Sequence, residues 1–107
     1  MLCLNANCNV LSCREVGEGE INAAVISPRR VVEVALAEKA SSVVLAHNHP
    51  SGVAIPSHED VMVTQRLAAA LAAVDVVLVD HLIVADDDYV SLVQSGHYRP
   101  GTNGAYV

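Results

Sequence analysis

Ser41–Ala46 reads SSVVLA, a short apolar run that stops at two histidines, and this junction constrains the fold more than any other part of the chain. A run so short and so continuous is what a strand buried on both faces requires. The next fourteen residues, HNHPSGVAIPSHED, carry a Pro-Ser-Gly turn and then a helix start. Pro56 precedes Ser57, a plausible N-cap, and Asp60 stands three residues on, the capping-box spacing with Asp in place of Glu or Gln. The pattern SHEDVMVTQRLAAALAAV continues as a helix. After it VVLVDHLIVA and YVSLVQ read as neighbouring strands joined at the turn Asp86-Asp87-Asp88.

The N-terminal half adds a hairpin and a helix. MLCLNANCNVLSCREV reads as strand, polar turn, strand; GEGEINAA breaks the pattern with glycines, as a bulge or bend does. In SPRRVVEVALAEKA, Ser27 suits an N-cap and Pro28 the first helical position, with Val31, Val34, Ala35 and Glu38 at helical spacing. The tail HYRPGTNGAYV is turn-rich and is expected at the surface. The order strand, strand, helix, strand, helix, strand, strand gives an α/β fold with helices against a mixed sheet. The sequence has no internal repeat and no linker. At 107 residues it is one domain, and since 52% of it is hydrophobic without a single Phe or Trp, the core must be Val, Leu, Ile and Ala.

Charge and cysteine usage narrow the function classes. The formal net charge is −6, and no basic cluster exists beyond Arg29-Arg30, so direct nucleic-acid binding is not expected. Cys3, Cys8 and Cys13 are odd in number and lack a C-x-x-C spacing. They read as free thiols in a reducing cytosol. The alternative, a three-thiolate metal site, would need them to converge across a hairpin. No secretory signal or bilayer-length apolar run is present, so the expected location is cytoplasmic.

The chemistry lies at the strand end. In extended chain, residues two apart point the same way, so His47 and His49 can present both imidazoles together. Asp60, in the first turn of the next helix, can lean back over the strand end. Two imidazoles and a carboxylate make a three-ligand zinc set with a fourth position for water, whose pKa zinc lowers to about 7. Taken singly, each feature has an ordinary structural reading as an exposed histidine, a helix cap or a turn. The joint spacing His-x-His, seven residues, Ser, two residues, Asp is far more specific. His81 reads as a buried, hydrogen-bonded residue, with a role beside the metal as its functional alternative. His58 and His97 read as solvent-facing. Asp86–Asp88 lacks the ligand spacing and glycine of a calcium loop and reads as a solvated turn.

His47, His49, Ser57 and Asp60 together resemble the H-x-H-x7-S-x2-D signature of the JAMM (JAB/MPN) metalloproteases. HNHPSG…PS…D is similar to the wording of their bacterial RadC branch. GEGEINAAVISPRRVVEVAL, DHLIV and YVSL extend the resemblance from Leu2 to about Gly96. It implies a JAB-type, cytidine-deaminase-like mixed β-sheet sandwiched by helices. The implied domain spans 1–98, without the upstream helical region of such proteins, and is followed by a tail at 99–107. One zinc ion would sit on His47, His49 and Asp60, with Ser57 donating to the oxyanion. A peptide or isopeptide bond in a protein substrate would be cleaved.

The resemblance also implies a general-base glutamate just ahead of the first strand, and no residue here matches it. Glu15, Glu18 and Glu20 are the acidic candidates near the N-terminal half of the sheet, each read as exposed or structural. The isolated chain is therefore expected to be weak or inactive as a hydrolase. The alternative is a non-catalytic interaction module of a DNA-repair-associated protein that keeps the fold and the metal. Deaminase chemistry is disfavoured, since the chain has neither His-x-Glu nor Cys-x-x-Cys. The sequence leaves homo-oligomerisation open.

Overall fold

Asn5 folds the first hairpin. Its side-chain Oδ1 accepts from the backbone N–H of Asn7 at 2.9 Å and of Asn9 at 3.0 Å, the local bonding that suits asparagine to turns. Cys8 takes the left-handed conformation there, with φ 62°. The flanking strands are β1 (Leu2–Leu4) and β2 (Val10–Cys13), paired antiparallel with an irregularity after Cys3. This is a computed structural model, and it describes residues 1–17, 26–49 and 52–101. The expected bend over GEGEINAA falls almost wholly outside the described residues, as do Pro50-Ser51 and the last six residues of the tail.

Helix α1 (Pro28–Ala37) starts as its sequence dictates, with the Ser27 side chain accepting from Arg30 N and Pro28 opening the first turn. Val31, Val34 and Ala35 form its buried stripe. Strand β3 (Ser42–Asn48) follows, then α2 (His58–Ala72), β4 (Val77–Ala85) and β5 (Asp88–Ser91). The sheet order is β2-β1-β3-β4-β5. The β3/β4 pair is parallel and the other pairs are antiparallel, which makes it a mixed sheet. α2 is the crossover between the parallel strands, and it packs on both α1 and β4.

Three expectations change. The tail does not lie wholly at the surface, because Tyr98 is buried in the core and its hydroxyl donates to Leu78 O at 2.7 Å. β3 is not buried on both faces. Val43, Leu45 and His47 point into the core, whereas Ala46 and Asn48 on the other face are exposed. The run lacks polar alternation because Val44 and Ala46 are apolar on the open side, so periodicity could not tell one-sided from two-sided burial. The final strand also ends earlier than YVSLVQ suggested. After Ser91 the chain turns, because Asp80 draws it back: its Oδ2 accepts from Ser91 Oγ at 2.5 Å and its Oδ1 from Val93 N at 3.1 Å.

One irregularity sets up the site. β3 pairs Val43 with Leu78 but Val44 with Asp80, leaving Val79 as an extra residue. Such a bulge shifts the inward parity of the strand by one. Leu78 faces the core before it, and His81, Ile83 and Ala85 after it. Without the extra residue, Asp80 would face the core and His81 the other side.

Candidate metal centre

β3 and α2 deliver the three ligand candidates. His47 continues the inward parity of Val43 and Leu45, and His49 lies just past the strand, where its N–H donates to Val84 O at 2.8 Å. Asp60 occupies the first turn of α2. It opens the same buried helix face that continues through Thr64, Leu67 and Leu71, so helical spacing places its carboxylate over the end of the sheet. The capping box is complete: Asp60 N donates to Ser57 Oγ at 3.0 Å, and Ser57 N donates to Asp60 Oδ2 at 2.7 Å.

The structure brings His47, His49 and Asp60 together, with one ligand atom from each lying within 4.8 Å of the others. Among the described residues it is the only such group of three His, Cys, Asp or Glu side chains. His47 Nδ1 is 3.3 Å from Asp60 Oδ1, and His49 Nε2 is 2.9 Å from Asp60 Oδ2. On a tetrahedral zinc ion with bonds of about 2.0–2.1 Å, two ligand atoms lie roughly 3.3 Å apart. Each histidine nitrogen therefore lies within a few tenths of an ångström of that spacing from one oxygen of Asp60.

The donor pattern at the site calls for a cation. His49 Nδ1 faces Val53 O at 3.1 Å. A carbonyl only accepts, so the hydrogen is on Nδ1. Nε2 then turns a lone pair toward a carboxylate oxygen unless a proton or a metal ion lies between them. Asp60 Oδ1 and both ring nitrogens of His47 are buried without a hydrogen-bond partner. Unsatisfied buried polar atoms are costly and rare. Asp60 Oδ1, His47 Nδ1 and the His49 Nε2 lone pair, one from each residue of the group, fit a divalent ion such as zinc, while His47 Nε2 is left on the outer side of its ring.

Electrostatics keep the ligands in their binding forms. Burial lowers the pKa of His47 below its ordinary value; the nearby Asp60 carboxylate opposes this and His49 adds to it. For Asp60, burial is the largest influence and pushes upward. The hydrogen bonds from the Ser57 backbone and side chain, with the two neighbouring histidines, outweigh it and hold the carboxyl below its usual range. A neutral imidazole and an ionised carboxylate are the forms a metal needs.

His81 is fully buried and stands beside Leu45 in the sheet. Its Nδ1 meets Thr64 Oγ1 at 2.6 Å, and its ring centroid lies 6.1 Å from that of His47. The buried, hydrogen-bonded reading is thus the one the structure shows. Burial, reinforced by His47, lowers its pKa to about 4. A histidine held neutral in the fold but protonated when unfolded takes up protons on unfolding between about pH 4 and pH 6.5. This group's contribution is therefore complete above pH 6.5 and lost as pH falls toward 4, amounting to about 3 kcal/mol. Urea denaturation at pH 7 and pH 4.5 checks this: wild type should lose clearly more stability than His81→Leu over that interval.

Other candidates fall elsewhere. His58 and His97 are exposed, as expected, and His97 pairs with Ser95 Oγ at 2.7 Å. Asp86 and Asp87 form an exposed turn, and Asp88, also exposed, opens β5. Cys3 is buried while Cys8 and Cys13 are exposed, all three as free thiols. Glu18 and Glu20 lie outside the described residues. Glu15 is exposed, but it lines a cavity of about 500 Å³ that His47 and His81 also line. Thr64 and the Val53 carbonyl were not singled out from the sequence. Thr64 carried a signal, a small hydroxyl one turn after Asp60 on the buried helix face.

Ser57 holds the cap and lies beside the ligand group. Ser57→Ala should cost about 0.5–2 kcal/mol, while Ser57→Asn, which can cap, should restore most of it. Thermal denaturation of the metal-free forms measures both.

Comparison with known proteins gives a consistent result. The model of the RadC-like JAB domain family matches residues 1–97. A UPF0758 protein of Shewanella woodyi is 44% identical over 96 residues, covering 90% of this chain and 43% of the relative. One from Nitrosococcus oceani is 49% identical over 87 residues, covering 81% and 39%. One from Cellvibrio japonicus is 44% identical over 96 residues. The chain spans about two-fifths of the length of these relatives. Among the described residues, no helix is long and apolar enough to cross a membrane.

Proposed function

The chain belongs to the RadC-like JAB domain family, and from that premise we propose that it is a zinc-dependent hydrolase domain that cleaves a peptide or isopeptide bond. The observation carrying this reading is the convergence of His47, His49 and Asp60 with their buried, unpartnered polar atoms. A zinc ion held there would supply Lewis acidity and make water nucleophilic near neutral pH. The remaining roles belong to the chain itself. Asp60 brings the negative charge and is fixed by the cap; His49 is oriented by the Val53 carbonyl. The Ser57 hydroxyl, whose oxygen accepts from Asp60 N–H, would turn its hydrogen from the Asp60 carboxylate to the oxyanion that develops on the scissile carbonyl.

The substrate is a peptide or protein, and a domain of net charge −6 is not a direct nucleic-acid binder. The free cysteines suit a reducing, cytoplasmic setting. A second reading, a non-catalytic interaction module that keeps the metal, draws on one observation. Among the described residues, Asp60 is the only carboxylate in the ligand group, and it is committed to its own contacts. The two readings separate in one assay. Zinc-loaded protein is tested on a peptide and isopeptide panel beside chelator-stripped protein. Zinc-dependent cleavage lost in Asp60→Asn supports the hydrolase, and its absence from full-length relatives as well supports the module.

A further inference from the structure

Two buried ring nitrogens without partners belong to neighbouring rings, those of His47 and His81, and the hydrogen-bond chain beyond His81 says which of them accepts. Thr64 Oγ1 lies 2.5 Å from Asp60 O and 2.6 Å from His81 Nδ1. The hydroxyl has one hydrogen. The Asp60 carbonyl cannot donate, so the threonine hydrogen goes there. The hydrogen between Thr64 and His81 must then come from His81 Nδ1. That fixes the tautomer of His81: Nδ1 carries the hydrogen, and Nε2 presents a lone pair. This Nε2 is fully buried and has no partner. It is an acceptor that lacks a donor.

His47 supplies the donor once it is a ligand. Its Nδ1 is the nitrogen turned to Asp60, at 3.3 Å from Oδ1, and its Nε2 is buried and unpartnered. An imidazole that gives one nitrogen to a metal carries its hydrogen on the other. Metal-bound histidines almost always pass that hydrogen to a fixed acceptor, which sets the ring orientation. The His47 and His81 rings are 6.1 Å apart between centroids and tilted by 33°. An ordinary N–H···N bond between two imidazoles places the centroids about 5 Å apart, so with the two Nε2 atoms turned to each other an approach of about 1 Å closes it, or one bridging water spans it.

We propose that His81, held by Thr64, is a positioning residue for the metal centre: it accepts the hydrogen of the outer His47 nitrogen and so links His47 to the Asp60 backbone carbonyl in one chain. This rests on the metal site proposed above. The bulge at Val79 is what makes the arrangement available, since it turns His81 rather than Asp80 toward His47. Neither His81 nor Thr64 touches substrate in this scheme; both act through the ligands.

The test uses the whole chain with zinc and a competing chelator. Nitrogen-15 NMR of zinc-loaded wild type should show His81 with its hydrogen on Nδ1 and a free, accepting Nε2. It should also show His47 as a single tautomer with a slowly exchanging ring hydrogen. His81→Leu and Thr64→Val should each weaken zinc binding about 10–100-fold, and the double variant should be little worse than either alone. His81→Gln, which retains an acceptor, should recover part of the loss. Folding of each variant is checked by circular dichroism. If His81→Leu does not fold, Thr64→Val and the wild-type spectrum decide alone. A zinc-loaded wild type with the His81 hydrogen on Nε2 overturns the proposal, as does unchanged zinc affinity in a folded Thr64→Val. Failure of the wild type to bind zinc at all would instead refute the metal site itself.

Discussion

Asp60→Asn is expected to lower zinc affinity by more than 100-fold while leaving the metal-free protein folded. Changing a group that only orients a ligand typically costs 10–100-fold. Asp60 is the sole anion in the ligand group, so removing its charge should cost more than that. The fold tolerates the change for a specific reason. An asparagine oxygen can accept from Ser57 N–H as Asp60 Oδ2 does now at 2.7 Å, so the helix keeps its cap. The new amide nitrogen then takes the place of Oδ1, where it can donate to His47 Nδ1, which at present faces that oxygen at 3.3 Å. The metal-free variant should therefore melt near metal-free wild type. At a zinc concentration about a thousand times its Kd, wild type should gain about 4 kcal/mol, and the variant should gain little. Thermal denaturation with and without zinc measures all four states. A variant that is stabilised by zinc as strongly as wild type would place the metal elsewhere.

The second large effect concerns turnover. At equal zinc occupancy the 107-residue chain should cleave amide substrates about 10²–10⁴-fold more slowly than a full-length relative such as that of Shewanella woodyi. Amide cleavage needs a proton delivered to the leaving nitrogen, and general acid–base catalysis of that kind is typically worth this factor. Among the described residues, no carboxylate joins the ligand group besides Asp60. Asp60 is buried, held in its ionised form and bonded to Ser57, which leaves it unsuited to ferry protons. Equal, zinc-dependent turnover by the short chain would contradict this. The carboxylate would then lie within this sequence, and Glu15, which lines the cavity beside His47 and His81, would be substituted first, with Glu18 and Glu20 after it.

The parts legible in the sequence were those set by short-range rules. Ser27 with Pro28, and Ser57 with Asp60, marked two helix starts because capping needs particular side chains at fixed spacing. His47 and His49 were read as sharing a side because strand parity demands it, and both now lie against Asp60. What the sequence hid was set by pairing between distant segments. The bulge at Val79 leaves no local trace in VVLVDHLIVA, since valine suits either side of it. The open face of β3 was invisible because Val44 and Ala46 are apolar on both readings. Asp80 ended the last strand early through bonds to residues 11 and 13 positions away, beyond any local pattern. Thr64 looked like an ordinary helix residue until His81 was placed beside it.

Zinc-edge X-ray absorption on the stoichiometrically loaded chain tests the metal centre most directly. The three-ligand site predicts a first shell of nitrogen and oxygen only, at about 2.0–2.2 Å, with the outer-ring scattering of two imidazoles. Sulfur neighbours at about 2.3 Å would contradict it and turn attention to Cys3, Cys8 and Cys13. So would a shell without imidazole.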